Sequence, residues 1–280
     1  MCSRGAKHLG EDKNKLFKHI PASTVYPLYI MSDLTDDEIV SLCHNPATKV
    51  LSAQQCSNKV VRITDSLAVK FGHFITAEEF KNQQAAQQRL NADIVNVPTA
   101  YRFVQKDAVG YIVMDYVDGK TLDLASAKNM AEELGKVLNY IHRQEETRPG
   151  SLGGGPVSGV LWPEHEEVEF SKSEDLQLWF DQHSPKSGRE IDLGRHALSM
   201  CHLDFTPRNI MVSGNRIYLV DWSAAGYFPR FFEHILYQFL PQDLGFFNLL
   251  RPFLTRLSDE ELESANTALE TLQHSQFRVL

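Results

Sequence analysis

The stretch from Ser199 to Glu233, SMCHLDFTPRNIMVSGNRIYLVDWSAAGYFPRFFE, constrains the fold of this chain more than any other feature. Two β runs, Ile210-Met211-Val212 and Arg216 to Val220, flank Ser213-Gly214-Asn215, a tight-turn sequence, so the segment reads as an antiparallel hairpin. Asn209 stands six residues before Asn215 and Asp221 six after it, which brings the two side by side at the open end. A carboxylate and an amide oxygen held together suit a hard cation such as Mg²⁺ that phosphates also bind. Asp204 lies five residues before Asn209 on an irregular loop containing Pro207, within reach of the same space without ligating the metal. A carboxylate there can accept or orient the proton of an attacking hydroxyl. His202 is expected to brace this loop by hydrogen bonding rather than act as the base.

Taken singly, an Asp or Asn at a hairpin end is a cap or turn residue. Together, with His202 two positions before Asp204, they match the phosphotransfer pattern H-x-D-x-x-x-x-N followed by a metal-binding Asp. That pattern demands a lysine upstream, and Leu67-Ala68-Val69-Lys70 looks like the V-A-I-K strand. Ala68 and Lys70 share a strand face, so a small side chain lies against adenine while the amine reaches the phosphates. Residues 77–90 follow as a strong helix with two acids near its start, Glu78 and Glu79. Glu79 is the expected partner of Lys70, because Phe80 and Leu90 mark the buried side and Glu79 lies beside it. Tyr111 to Tyr116 reads as the last strand of the first part, running into a linker at Val117-Asp118-Gly119. Backbone groups of Asp115 and Val117 are then placed to bond adenine, with Met114 and Met211 as apolar walls.

Around these motifs the chain runs from a strand-rich first part with one helix to a helix-rich second part, an α+β order in two lobes. Residues 1–45 are expected to form an N-terminal extension, with Ser32 capping a short helix, residues 46–117 a nucleotide-binding lobe, and residues 118–280 a catalytic and substrate-binding lobe. Val60-Val61-Arg62-Ile63 and Leu67 to Phe71 form a hairpin around Thr64-Asp65-Ser66. The Gly150 to Pro156 segment lacks a preceding strand and a G-K-[ST] sequence, so it reads as a surface loop, not a phosphate loop. A hydrophobic fraction of 42% and 23% charged residues describe an ordinary globular chain. A formal charge of −8 argues against nucleic acid as partner. No apolar run suggests a signal peptide or membrane span, and Cys2, Cys43, Cys56 and Cys201 form no C-x-x-C pair. The expectation is a cytoplasmic protein with free thiols, no membrane contact and no obligate protein partner.

His202 to Asn209 followed by Asp221-Trp222-Ser223 resembles the aminoglycoside phosphotransferase and choline kinase-like family. The stretch Asp221 to Pro229 with Glu233 is similar to its fungal members in particular. The resemblance runs from about residue 50 to 240 and implies a protein-kinase-like fold, with a small antiparallel sheet in the first lobe and a mainly helical second. It further implies that Asp204 is the catalytic base, that Asn209 and Asp221 hold Mg²⁺, and that Lys70 with Glu79 positions the phosphates of ATP. Asp-Trp-Ser in place of Asp-Phe-Gly, and no Ala-Pro-Glu segment, argue against a protein kinase.

The reading is an ATP- and Mg²⁺-dependent phosphotransferase acting on a hydroxyl of a small molecule. The alternative is a nucleotide-binding protein without turnover, acting as scaffold or sensor. The phosphate-covering loop, Ser52 to Asn58, contains no glycine, which favours the alternative, since close backbone approach to phosphate is harder without it. Intact Lys70, Asp204, Asn209 and Asp221 favour the enzyme. The acidic run Glu164, Glu166, Glu167, Glu169, Glu174 and Asp175 reads as a solvated face, and Trp162, Trp179 and Phe180 as core.

Overall fold

The computed structural model describes residues 34–53, 57–164, 166–186 and 188–276, and begins with a nine-residue helix, α1 (Asp36–His44). Thr35 caps it: the hydroxyl accepts from Glu38 N (3.3 Å) while the Glu38 carboxylate accepts from Thr35 N (2.8 Å). This reciprocal pair satisfies two orphan N–H groups of the first turn. Ser32, the expected cap, lies outside the described residues. The buried residues of α1, Ile39 and Cys43, pack with Val61, Leu67, Val69 and Val113. The helix expected in an N-terminal extension therefore lies against the first lobe.

That lobe is an antiparallel sheet in the order β1-β2-β3-β5-β4, formed by β1 (Lys49–Val50), β2 (Lys59–Arg62), β3 (Leu67–Gly72), β4 (Ala100–Lys106) and β5 (Val109–Asp115). Thr64 sets the β2–β3 register, its hydroxyl accepting from Ser66 N (3.2 Å) and Leu67 N (3.0 Å). Alternation along β3 does the rest: Leu67, Val69 and Phe71 face the α1 side, leaving Ala68 and Lys70 on the opposite face. There α2 (Ala77–Arg89), capped by Thr76, crosses the sheet. Its buried stripe is Glu79, Asn82, Gln83 and Ala86, whereas Phe80 stays half-buried. Of the expected apolar side, Leu90 is buried in the main core, but Phe80 is only partly so, and the stripe between them is mostly polar. A polar stripe at helical spacing is buried only where partners wait for each group, and they do.

After β6 (Lys120–Thr121), the second lobe contains α3 (Leu124–Asn129), α4 (Ala131–His142), β7 (Glu145–Glu146), β8 (Gly150–Ser151), α5 (Ser173–His183), β9 (Leu198–Cys201), β10 (Ile210–Ser213), β11 (Arg216–Leu219), β12 (Gly226–Pro229), α6 (Phe231–Phe239), α7 (Leu244–Leu250) and α8 (Asp259–Gln276). The stripe Leu134, Val137, Leu138 and Ile141 of α4 joins Phe246 and Leu250 of α7, a helix it packs against, within one large core. Truncating one such leucine to alanine costs about 2–5 kcal/mol. Trp162, Trp179 and Phe180 belong to this core, as expected. Two small antiparallel sheets, β11-β10-β6 and β7-β9-β12-β8, carry the functional loops between the helices.

Gly150 to Pro156 is only in part the surface loop expected from its composition: Gly153 is exposed and the residues after it half-buried, but the first residues are not at the surface. Gly150 and Ser151 form β8 and pair with β12, and Ser151 is 3% exposed. A Cβ on Gly153 would stand 2.4 Å from Lys81 Cβ, so glycine here permits the second lobe to close onto α2. Among the described residues no helix is long and apolar enough to cross a membrane. Cys43 and Cys201 are buried free thiols; Cys2 and Cys56 lie outside the described residues.

Candidate active site

Lys70 projects from β3 into the cleft and meets two carboxylates, Glu79 Oε1 at 2.6 Å and Asp221 Oδ1 at 2.9 Å. Glu78 instead pairs with Lys81 (3.7 Å), so the helix register selects Glu79, as the sequence suggests. Burial alone would pull the Lys70 pKa down, yet Asp221 and Glu79 outweigh it and hold it above the ordinary lysine value. Glu79 is pushed up by burial and by Asp221, with Lys70 opposing both. For Asp221 burial also pushes upward, but Lys70 and the Ser223 hydroxyl (2.9 Å) win and hold its carboxyl down at about 2. The result is one ammonium held between two carboxylates, with Lys70 and Asp221 shifted toward their charged forms.

Asp204 lies on the loop between β9 and β10, where the chain turns sharply. Leu203 has φ +55° and Asp221 φ +63°, left-handed conformations that cost non-glycine residues about 1–3 kcal/mol. Glu233 of α6 compensates the first: its carboxylate accepts from His202 N (2.8 Å) and Leu203 N (3.2 Å) while wholly buried. The expected hydrogen-bonding role of the His202 imidazole is corrected. Neither ring nitrogen has a partner, and the ring packs edge-on against Trp222 at 4.6 Å between centroids. Burial pushes its pKa down, so the ring stays neutral. The loop is braced by the backbone N–H of His202, not by its side chain.

The Asp204 carboxylate accepts from Asn209 Nδ2 (2.7 Å) at Oδ2 and from Arg208 Nη2 (2.6 Å) at Oδ1. Asn209 Nδ2 also donates to Asp204 O (3.0 Å), which commits the amide nitrogen and leaves its oxygen for another partner. Burial pushes the Asp204 pKa up to about 6; Arg208 opposes this, and Asp221 adds to it. Hairpin register places Asn209 opposite Val220, whose N–H it accepts at 2.9 Å, so Asp221 falls one residue beyond the position expected from equal spacing.

Ala68 and Met114 are cross-strand partners on the cleft side of β3 and β5, and Met211 lies half-buried on β10. At the linker, Asp115 N donates to Thr99 O (3.0 Å) and Gly119 N donates to Val117 O (3.0 Å). Of the phosphate-covering loop, Gln54, Gln55 and Cys56 lie outside the described residues; Ser52 ties the neighbouring strand by accepting from Val60 N (3.1 Å).

Three residues of the site escaped the sequence reading. Arg208, four positions after Asp204, bridges Asp204 to Asp243 Oδ2 (2.7 Å). Asn82 of α2 donates to the carbonyls of Trp222 (3.1 Å), Ser223 (3.3 Å) and Ala225 (3.3 Å), while its oxygen accepts from Ser151 Oγ (2.7 Å) and Gly153 N (2.7 Å). It ties the helix bearing Glu79 to the loop bearing Asp221. Ser223 holds Asp221 from the far side. The i, i+4 spacing could have flagged Arg208; nothing local flags Asn82. The acidic run makes no site: Glu166 pairs with His183 (3.1 Å) and Trp179 (3.2 Å), and Asp175 accepts from the N–H groups of Ser171 (2.9 Å) and Lys172 (3.1 Å).

Comparison with known proteins agrees with this geometry. Residues 50–246 match the model described as the phosphotransferase enzyme family. Among solved structures, a thermostable mutant of the aminoglycoside phosphotransferase APH(4)-Ia in its apo form aligns with TM-score 0.55 at 12% identity, covering 82% of this chain and 85% of that one. A ternary complex of that enzyme with AMP-PNP and hygromycin B aligns with TM-score 0.53 at 12% identity, over 86% and 88% of the two chains. The GDP complex of aminoglycoside 2'-phosphotransferase-IIIa aligns with TM-score 0.51 at 13% identity, over 91% and 90%. The shared fold is the two-lobed, protein-kinase-like one. No curated protein matches the chain.

Proposed function

The chain belongs to the phosphotransferase enzyme family, and we propose that it transfers the γ-phosphate of ATP to a hydroxyl of a small molecule. The observation that carries this reading is the convergence of Lys70, Glu79 and Asp221 with Asp204 and Asn209 on one cleft between the lobes. Ala68, Met114 and Met211 wall the base, while the Asp115 carbonyl and Val117 N–H bond its edge. Lys70, steadied by Glu79, holds the phosphates.

Two oxygen donors fit Mg²⁺. The Asn209 amide oxygen is free because its nitrogen is spent on Asp204, and both contacts to Asp221 fall on Oδ1, leaving Oδ2. When bound, Mg²⁺ supplies charge neutralisation at the phosphate oxygens. Asp204 takes the proton of the acceptor hydroxyl as the bond from its oxygen to phosphorus forms and the bond to the departing ADP breaks. A base raised to about 6 by burial is ionised at neutral pH and stronger than an ordinary aspartate. Aminoglycoside-type polyols are the first acceptors to test, since all three of these similar structures belong to enzymes named for aminoglycosides and one of them holds hygromycin B.

The test is incubation with Mg²⁺ and ATP or GTP across a panel of hydroxyl compounds, following nucleoside diphosphate release and the mass of each acceptor. A phosphorylated acceptor, absent without Mg²⁺, is expected. Tight nucleotide binding with no diphosphate released over the whole panel would replace the enzyme reading with that of a nucleotide-binding scaffold.

A further inference from the structure

Behind the catalytic loop, on the side away from Lys70, three side chains of different chemistry meet. His142 ends α4, Cys201 ends β9, and Glu233 lies in the first turn of α6; they are 7%, 0% and 0% exposed. One nitrogen, one sulfur and one carboxylate oxygen from this trio all lie within 4.8 Å of one another. His142 Nε2 has no hydrogen-bond partner although buried, and it stands 4.0 Å from Glu233 Oε2, too far for a direct bond. A buried imidazole nitrogen left unpaired beside a thiol and a carboxylate is a destabilising, unsatisfied polar group unless something sits between them.

We propose that His142, Cys201 and Glu233 form a binding site for a divalent transition-metal ion of the zinc type. Nitrogen and thiolate sulfur select a borderline ion over Mg²⁺ or Ca²⁺, which take oxygen ligands. Charge balances as well: neutral imidazole, one thiolate and one carboxylate cancel two positive charges, so the filled site buries no net charge. Binding deprotonates the thiol, the Cys201 S–H bond being replaced by a sulfur–metal bond and the proton passing to solvent. Glu233 is already aimed, since His202 N and Leu203 N donate to its carboxylate and leave lone pairs for an ion.

A cavity of about 410 Å³ opens on His142, lined also by Arg143, His196, Ser199 and Arg230 among others, but by neither Cys201 nor Glu233 and by none of Lys70, Asp204, Asn209 or Asp221. The imidazole of His142 is the member of the trio that this cavity reaches. Because Glu233 also holds the strained Leu203 turn that precedes Asp204, an ion there stiffens the catalytic loop from behind. This inference does not rest on the proposed phosphotransfer.

Cobalt(II) titration of the full chain tests it, because a thiolate-bound Co²⁺ absorbs in the near ultraviolet. The wild type is expected to develop that band and lose it when Zn²⁺ is added. Cys201→Ser should abolish it, and His142→Gln should weaken Co²⁺ affinity at least as much as loss of a supporting partner does, about 10–100-fold. No band in the wild type, or an unchanged band in Cys201→Ser that then belongs to other thiols, overturns the site. Should Cys201→Ser not fold, as a melting curve would reveal, His142→Gln decides alone, and unchanged affinity in that variant overturns the proposal.

Discussion

The two acidic corners of the cleft are built on opposite principles. Around Lys70, opposite charges are paired inside the protein: Glu79 is 3% exposed, Lys70 9%, and the pKa of Asp221 is held down at about 2. Around Asp204, a carboxylate is raised to about 6 while its cation, Arg208, stays half-exposed and shared with Asp243. In the first corner Lys70 and Asp221 are both shifted toward their charged forms, which suits holding phosphate. The second sits close to its own titration, which suits taking a proton. Four substitutions break or sharpen this contrast, in descending order of effect.

Asp204→Asn has the largest expected effect. It keeps the shape and the Asn209 contact but removes the base, so single-turnover phosphotransfer should fall by about 10²–10⁴, or roughly 3–5 kcal/mol. Nucleotide affinity should not change. Nor should stability at neutral pH suffer. An acid whose pKa is raised on folding is destabilising once ionised, so the native state bears that cost increasingly as pH rises from 3.8 through about 6. A full-rate variant would show that Asp204 is not the base. Glu79→Ala comes next. Breaking a buried ion pair costs about 3–5 kcal/mol, and the low end applies because Lys70 retains Asp221. Thermal unfolding should register that loss together with weaker nucleotide binding; a variant with wild-type nucleotide affinity would deny Glu79 its aiming role.

The Lys70 corner was largely legible in the sequence and the Asp204 corner only in outline, for a physical reason. Strand alternation puts Ala68 and Lys70 on one face, and helix register puts Glu79 beneath them; both are local periodicities. Helix α2 already shows the limit: its buried stripe is Glu79, Asn82 and Gln83, which hydrophobic periodicity cannot recognise. Asn82 reaches Trp222 across 140 residues, and Glu233 reaches Leu203 across 30, with no local signal at either end. Gly150 to Pro156 misled in the other direction, because a glycine cluster looks the same whether it loops into solvent or admits a close approach. The His202 ring, expected to brace the loop by hydrogen bonding, is buried against Trp222 and Phe205 instead, and neither nitrogen makes a bond of good geometry.

Asn82→Ala tests whether the two lobes are fastened independently of charge. It removes a side chain that satisfies three carbonyls, one hydroxyl and one N–H, all deep between α2 and the Asp221 loop. Leaving those groups unpaired should cost about 2 kcal/mol in unfolding free energy. If Asn82 fastens Glu79 to Asp221, nucleotide affinity should fall with stability. A loss of stability with wild-type affinity would confine Asn82 to packing.

The smallest effect is expected from Arg208→Met, and it bears most directly on the contrast. Burial raises the Asp204 pKa and Arg208 works against it, so deleting the guanidinium should let it rise further, with Asp243 now an uncompensated negative neighbour. An adjacent opposite charge typically moves a carboxylate by 1–3 pH units; half-exposure of Arg208 reduces this to about one unit, or roughly 1.4 kcal/mol. A base must be ionised to act, so the rate falls at pH below its pKa. The acidic limb of the kcat/KM profile should therefore move from near 6 toward 7. Above that limb, activity should approach the wild-type value, because Asn209 still orients Asp204 at Oδ2. Methionine keeps much of the arginine stem, so packing is little disturbed. Arg208→Lys, which restores a cation without the two-armed geometry, should return part of the shift. A limb that stays in place while activity drops evenly at all pH values would make Arg208 a positioning residue that orients Asp204 without tuning it. The Asp204 corner would then owe its poise to burial alone.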